Sequence, residues 1–302
     1  MPQDNPNQIS SLSGPGTPLP AFLDKSLATL LYFYWKFIGS PYLFSKGSAA
    51  MSIPKTLHYC WFGGNPKPEK VLACIESWKK FCPDYEIIEW NEQNYDCSRA
   101  LYTKQALERK QWAFVTDYAR LEILYQHGGI YVDTDVELIR PLDDLLQYDA
   151  FFGFQNNNQV ASGLGCGARK GHPLLLELLK DYDRPFIMEN GMEDHGNCPG
   201  RNTETLVRLG LRADGTRQTL ADAEFFPVDY FCPMNFTTGK LTITPNTYSI
   251  HHFHSSAMSK MERFDATVVE RLLGPTLFHK VYRPVRRWLG MQRLKLALKF
   301  KS

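Results

Sequence analysis

No two of the seven cysteines (Cys60, Cys74, Cys82, Cys97, Cys166, Cys198 and Cys232) stand at CxxC spacing. That excludes the usual zinc and dithiol redox motifs. The set is odd and scattered, and reads as reduced, mostly buried thiols of a cytoplasmic protein. No apolar run reaches the roughly 20 residues that a bilayer-crossing helix needs. The nearest, Leu27–Ile38, carries Lys36 and ends in Gly39, Ser40 and Pro41. It suits an interfacial helix, or a segment packed on the main domain, better than a span. The first twenty residues are polar and rich in Pro, Ser and Gly, unlike a secretory signal, and too poor in apolar groups to offset ordering entropy. A formal net charge of only +2 says little about partners, and no internal repeat points to a solenoid.

What the chain does have, from Ile53 onward, is alternation of strand-like and helix-like segments. Thr56–Phe62 is aromatic, ends in Gly63-Gly64, and reads as a first strand. Pro66 and Pro68 then open a helix with Val71, Leu72, Ile75 and Trp78 at helical spacing. Tyr85–Trp90 predicts a second strand. Phe114, Tyr118, Leu121 and Tyr125 form one stripe of a longer helix, which Gly128-Gly129 would cap. Ile130-Tyr131-Val132 follows as a short buried strand, then Ala150–Gln155 as another, then a helix opening at Pro173. This order predicts an α/β domain with a largely parallel sheet. The expected organisation is an N-terminal extension over 1–50, a catalytic domain over 51–260 and a basic amphipathic segment over 261–302.

The chemistry concentrates at Ile130–Asp135. On a continuing strand, Tyr131, Asp133 and Asp135 would point to one side and Val132 to the other. Two carboxylates at the C-terminal end of a strand sit where open α/β sheets place ligands, and hard oxygen donors suit Mg²⁺ or Mn²⁺. Asp117 and Arg120, spaced i and i+3, share a helix face. They could form a plain intrahelical ion pair, or could be presented together toward Asp133. Spacing leaves both readings open.

Phe114–Asp135 resembles the signature of the DXD-containing sugar transferases of glycosyltransferase family 32, and Ile53–Gly64 resembles the family's opening strand. A more distant similarity is to the glucosyltransferase domains of large clostridial toxins. The resemblance spans roughly residues 53–256. It implies the GT-A nucleotide-sugar transferase fold, a Rossmann-like mostly parallel sheet with flanking helices. It also implies a hexosyltransferase acting with retention, with no protein nucleophile, in capsule or surface-glycan synthesis. The donor would be a nucleotide sugar, UDP-linked by preference, and the acceptor a glycan or lipid-linked saccharide. Trp61 would stack on the base, Asp117 and Arg120 would hold the donor sugar, and Tyr131 would stand beside it. Asp133 would contact ribose and sugar and reach the metal, and Asp135 would ligate the metal directly. Ser249–Ser256 matches a block that closes over the diphosphate, with Phe253 and Ala257 where tryptophans are usual. One of His251 and His252 there would lie near the metal, with His252 joining Asp133 and Asp135 as a ligand. A zinc site built on His251, His252 and His254 ranks low, because no Cys or carboxylate is near in sequence. The Gly-rich Ser162–Gly167 and Cys198–Thr203 fall where acceptor loops are built.

Lys280–Ser302 carries eight Lys or Arg and no acid, with leucines and Trp288 among them. This is either a solvated tail or an interfacial helix on anionic lipid, placing the enzyme at the inner membrane face. No aromatic-basic module supports nucleic acid binding. Two other classes compete. A haloacid-dehalogenase-like phosphatase also follows a buried strand with DxD, but Glu137 stands where Thr or Val is wanted and Asp133 lies deep in the domain. A non-catalytic, membrane-associated sugar-nucleotide-binding protein would have less need of the full Asp117, Arg120, Asp133 and Asp135 set.

Overall fold

A computed structural model describes residues 53–253, except Asn157 and Thr237, together with Leu272. All of these belong to the second of the chain's two units, residues 50–302. The expectations for Leu27–Ile38, Ser256 and Lys280–Ser302 lie outside the described residues, and no described helix is long and apolar enough to cross a membrane.

The elements alternate as the sequence predicts, with additions. They run β1 (Thr56–Cys60), α1 (Glu69–Phe81), β2 (Glu86–Trp90), α2 (Leu101–Glu108), α3 (Trp112–His127), β3 (Gly129–Tyr131) and β4 (Val136–Leu138). Then come β5 (Ala150–Asn156), β6 (Gln159–Ala161), β7 (Cys166–Ala168), α4 (Pro173–Leu179) and α5 (Cys198–Arg208). The order closes with β8 (Gln218–Leu220), β9 (Ala223–Phe226), α6 (Val228–Phe231) and β10 (Ser249–His251). Eight strands form one sheet in the order β2-β1-β3-β7-β5-β9-β8, with β6 also on β5. Strands β1, β2, β3, β5 and β9 run one way and β6, β7 and β8 run against them. The fold is therefore mixed α/β with a predominantly one-directional, Rossmann-like sheet and flanking helices, as the sequence led one to expect. A separate ribbon pairs β10 with β4.

Two features lock the site-bearing strands in place. Trp78 is fully buried, and its indole N–H donates to the Val136 carbonyl at 2.7 Å, while Ser77 Oγ accepts from the Leu138 amide at 2.9 Å. These bonds fasten α1 to β4. At the other end of β3, Gly128 and Gly129 have φ of 72° and 101°, which only glycine adopts readily. A Cβ on Gly129 would meet the Thr56 carbonyl at 2.7 Å and the His58 ring at 2.8 Å.

Helix α3 exists where predicted, but its fully buried face is Val115, Ala119, Leu121, Ile123 and Leu124, together with Arg120. Phe114, Tyr118 and Tyr125 are only partly buried against the core. Large aromatics dominate a hydrophobic stripe by bulk, yet the smaller Val115 and Ala119 let the helix approach the sheet. Leu72, counted on the apolar face of α1, is 48% exposed.

His58 in β1 is fully buried and neutral in its bonding: Nε2 donates to the Gly128 carbonyl at 2.9 Å, and Nδ1 accepts from the Trp90 indole at 3.1 Å. Burial pushes its pKa down to about 4, with the Gly128 hydrogen bond opposing. Because the folded value lies below the unfolded one, this contribution is complete above the unfolded pKa of about 6.5 and is lost as pH falls toward 4. Its full size is on the order of 3 kcal/mol. His58→Gln is therefore expected to be less stable at neutral pH but to lose less stability on acidification. Urea unfolding of both proteins at ~pH 7 and ~pH 4.5 checks this; parallel pH profiles would contradict it.

Candidate active site

The chain does not stay extended through the acidic motif. Strand β3 ends at Tyr131, Thr134 and Asp135 form a turn, and the Val136 amide closes it on the Asp133 carbonyl at 3.0 Å. Asp133 and Asp135 are thus not placed by strand alternation, yet the turn keeps both carboxylates together. Val132 and Asp133 remain tied to the sheet, because their amides donate to the carbonyls of His58 at 3.1 Å and Gly163 at 3.0 Å. Asp133, Asp135 and His251 each offer one ligand atom, all within 4.8 Å of one another.

This trio departs from the sequence reading at one residue. His251, not His252, joins the acidic pair: its Nε2 lies 3.1 Å from Asp135 Oδ1. His252 turns away to Glu137, with Nε2 2.8 Å from Oε2. The reason is the pleat, since neighbours at a strand end point to opposite faces. Strand β10 presents Ser249 and His251 inward, and the His252 amide donates to the Asp135 carbonyl at 2.9 Å, setting the register. Burial disfavours charge on the His251 ring, but its bond to Asp135, with help from Cys232 and the nearby carboxylates, holds its pKa up at about 10. Without an ion this arrangement favours the protonated ring, and a metal ion bound at Nε2 would take the place of that proton. The two carboxylate oxygens suit Mn²⁺ or Mg²⁺, and the deprotonated His251 imidazole would add a nitrogen of the kind that transition-metal ions accept.

Beside the trio, both readings of Asp117 and Arg120 hold at once. Arg120 Nη2 lies 3.0 Å from Asp117 Oδ1 along α3 and 3.2 Å from Asp133 Oδ1 across to the motif. Its Nε also donates to the Thr116 carbonyl at 3.2 Å, and its guanidinium lies 5.2 Å from the centre of the Tyr131 ring. Burial pushes the Asp117 carboxyl up to about 6 and also raises Asp133, with Arg120 pulling both back. Arg120 itself is held well above its ordinary value: burial opposes its charge, and Asp133, Tyr131 and Asp117 outweigh that.

Tyr131, expected beside the donor, is fully buried, and its hydroxyl donates to Asp133 Oδ1 at 3.1 Å. It braces Asp133 from below. Trp61, expected as a base platform, is partly exposed just beyond β1; its indole N–H donates to the Asn65 carbonyl at 2.7 Å and Lys67 Nζ lies 5.8 Å from the ring centre. Sequence reasoning placed Ser162–Gly167 and Cys198–Thr203 in acceptor loops and did not foresee Cys198 beside Arg120, with Ser162 and Asn202 bonded to that cysteine. Cys198, Ser162 and Asn202 are all buried, with Arg120 Nη1 4.0 Å from Cys198 Sγ. The i, i+4 spacing of Cys198 and Asn202 was a helical signal, but the Pro199-Gly200 pair made the stretch read as a loop. In the structure Asn197 caps α5 by accepting from the Gly200 amide at 2.8 Å, and Pro199 falls at the helix start, where its missing N–H costs nothing.

Residues 68–152 match the family model described as "Glycosyltransferase sugar-binding region containing DXD motif". Among curated proteins, inositol phosphoceramide mannosyltransferase 3 of Schizosaccharomyces pombe is 32% identical over 150 residues, covering 47% of this chain and 40% of that protein. Alpha-1,4-N-acetylglucosaminyltransferase of Homo sapiens is 22% identical over 210 residues, covering 69% of this chain and 55% of the human enzyme. The matches thus span about half the length of these relatives. Among solved structures, PaToxG glycosyltransferase aligns with a TM-score of 0.40 at 17% identity, covering 52% of this chain and 69% of that one. The chain carries the DXD sugar-transferase signature that its sequence resembles.

Proposed function

We propose, from a chain bearing the DXD sugar-transferase signature over residues 68–152, that it transfers a hexose from a nucleotide-sugar donor to a glycan or lipid-linked saccharide. The single observation that carries this reading is the convergence of Asp133, Asp135 and His251 within 4.8 Å, beside an arginine held between two carboxylates. A divalent cation bound there would neutralise the diphosphate of a departing nucleotide. Asp135, His251 and Asp133 would hold it.

The protein's own groups do the rest. Arg120, fixed by Asp117 and Asp133, keeps its charge and offers N–H donors toward sugar or phosphate oxygens without having to reorganise. Asp117 accepts from sugar hydroxyls with whichever oxygen Arg120 leaves free. The Trp61 ring, partly exposed beyond β1, supports the base. Transfer with retention and a role in surface-glycan synthesis remain part of this reading, with UDP-hexose as the preferred donor and Mn²⁺ as the preferred ion.

The test is donor hydrolysis across a panel of UDP- and GDP-sugars with Mn²⁺. Metal-dependent release of a nucleoside diphosphate from one donor is the expected result. Phosphate release from simple phosphomonoesters would instead favour the phosphatase class. Silence across the panel, with no donor-induced thermal shift, would favour a binding protein.

A further inference from the structure

Helix α5 buries an unusual face. Of its six buried residues, Arg201, Asn202, Thr203 and Thr205 are polar, alongside Cys198 and Leu206. Buried polar groups cost free energy unless paired, so their bonds show what this face is built to hold. Asn202 Nδ2 donates to Ser162 Oγ at 3.0 Å and approaches Cys198 Sγ at 3.4 Å. Ser162 Oγ lies 3.2 Å from the same sulfur, and the Ser162 carbonyl accepts from the Cys166 thiol at 3.1 Å. Ser162 is fully buried and Asn202 is 1% exposed, so this pairing is dry and fixed in orientation.

The next residue makes the connection to the site. The Gly163 carbonyl accepts from the Asp133 amide. A Cβ on Gly163 would overlap the Asp133 carboxylate and come within 2.6 Å of Arg120 Nη1. Residue 163 therefore rests directly on the Asp133–Arg120 pair, and its position is set by Ser162, which Asn202 grips. Elsewhere α5 is docked independently of this turn. Thr203 Oγ1 accepts from the Val160 amide at 2.9 Å and donates to the Pro199 carbonyl at 2.7 Å.

We propose that Asn202 is a positioning residue: through Ser162 it holds the backbone at Gly163 against Asp133 and Arg120, and so fixes the carboxylate that the metal and donor meet. This rests on the metal-dependent reading above. Groups that orient ligands from behind typically change metal affinity by about 10- to 100-fold when removed.

The test is Mn²⁺ binding to the intact chain without donor, followed by the electron paramagnetic resonance signal of free Mn²⁺, with melting temperatures in parallel. Asn202→Leu and Ser162→Ala are each expected to weaken Mn²⁺ binding by about tenfold or more. The double variant should be little worse than the poorer-binding single, because both changes break the same Asn202–Ser162 bond. Thr203→Val loosens α5 on β6 without touching the turn, and should lower the melting temperature while leaving Mn²⁺ affinity unchanged. Unchanged affinity in Asn202→Leu and Ser162→Ala, or an equal loss in Thr203→Val, would overturn the inference while leaving the metal site intact. Should the unaltered protein bind no Mn²⁺, the functional reading itself fails. If Asn202→Leu does not fold, Ser162→Ala carries the comparison alone.

Discussion

Asp135→Asn is expected to lower metal-dependent donor turnover by about a thousandfold or more, roughly 4 kcal/mol of lost transition-state stabilisation. Asparagine keeps the shape of a side chain that is 6% exposed at the turn after β3. What it removes is the negative charge that faces His251 at 3.1 Å and, in the proposed reaction, the ion. The backbone around it is secured elsewhere: the Val136 amide closes the turn on Asp133, and the His252 amide bonds the residue 135 carbonyl, which the substitution does not alter. The stability cost should therefore be moderate, about 1.5–3 kcal/mol for the charge-assisted hydrogen bond to His251. Loss of that carboxylate also removes the main support for a charged His251, which would then turn neutral rather than remain an uncompensated buried cation. Turnover measured against Mn²⁺ concentration, with urea unfolding alongside, separates the two effects. Near-normal turnover in Asp135→Asn would place the metal elsewhere.

Arg120→Met should show the largest loss of stability among the site variants. The guanidinium is 6% exposed and stands between Asp117 and Asp133 at 3.0 and 3.2 Å. Removing one partner of a buried ion cluster typically costs about 3–5 kcal/mol, because the remaining charges are left uncompensated. Here two carboxylates would be stranded, one of which burial already pushes up to about 6 with the arginine present. Arg120→Lys retains a charge, but a single ammonium cannot reproduce the planar fork that serves Asp117, Asp133 and the Thr116 carbonyl together. The lysine variant is expected to recover part of the stability and little of the activity. Asp117→Asn, added to Arg120→Met, should return some stability by removing one stranded charge, with no return of turnover. Urea midpoints for the four proteins and their donor hydrolysis rates check this pattern. Equal stability of Arg120→Met and the unaltered protein would mean that the arginine is solvated rather than the centre of the cluster.

The parts of the molecule legible in the sequence are those where local chemistry and tertiary structure ask for the same residues. The Gly128-Gly129 pair marks the end of α3 and the start of β3 because left-handed backbone and the close approach of His58 both demand glycine there. Asp117, Arg120, Asp133 and Asp135 stood out by spacing, and the structure brings them together. What was not legible depends on how the chain returns from a distance. The choice between His251 and His252 is set by the register of β10 on β4, a pairing more than a hundred residues apart that no local pattern encodes. The short strands β4, β6 and β7 hold three residues each, too few for an alternation to register. Tyr131 was expected in a buried strand and beside the donor; the sheet does bury it, and its hydroxyl donates to Asp133. Helix α5 was hidden because its buried face is polar, so the apolar periodicity that marks a helix is missing.

The central claim is that Asp133, Asp135 and His251 grip a divalent cation that meets the donor diphosphate. The most direct measurement is an anomalous-difference map from crystals grown with Mn²⁺ and a nucleotide-sugar donor. The account predicts one strong peak at bonding distance, about 2.0–2.3 Å, from Asp133, Asp135 and His251 and from diphosphate oxygens. A peak bound by other side chains, or donor density with these three residues still paired only to each other, would contradict it.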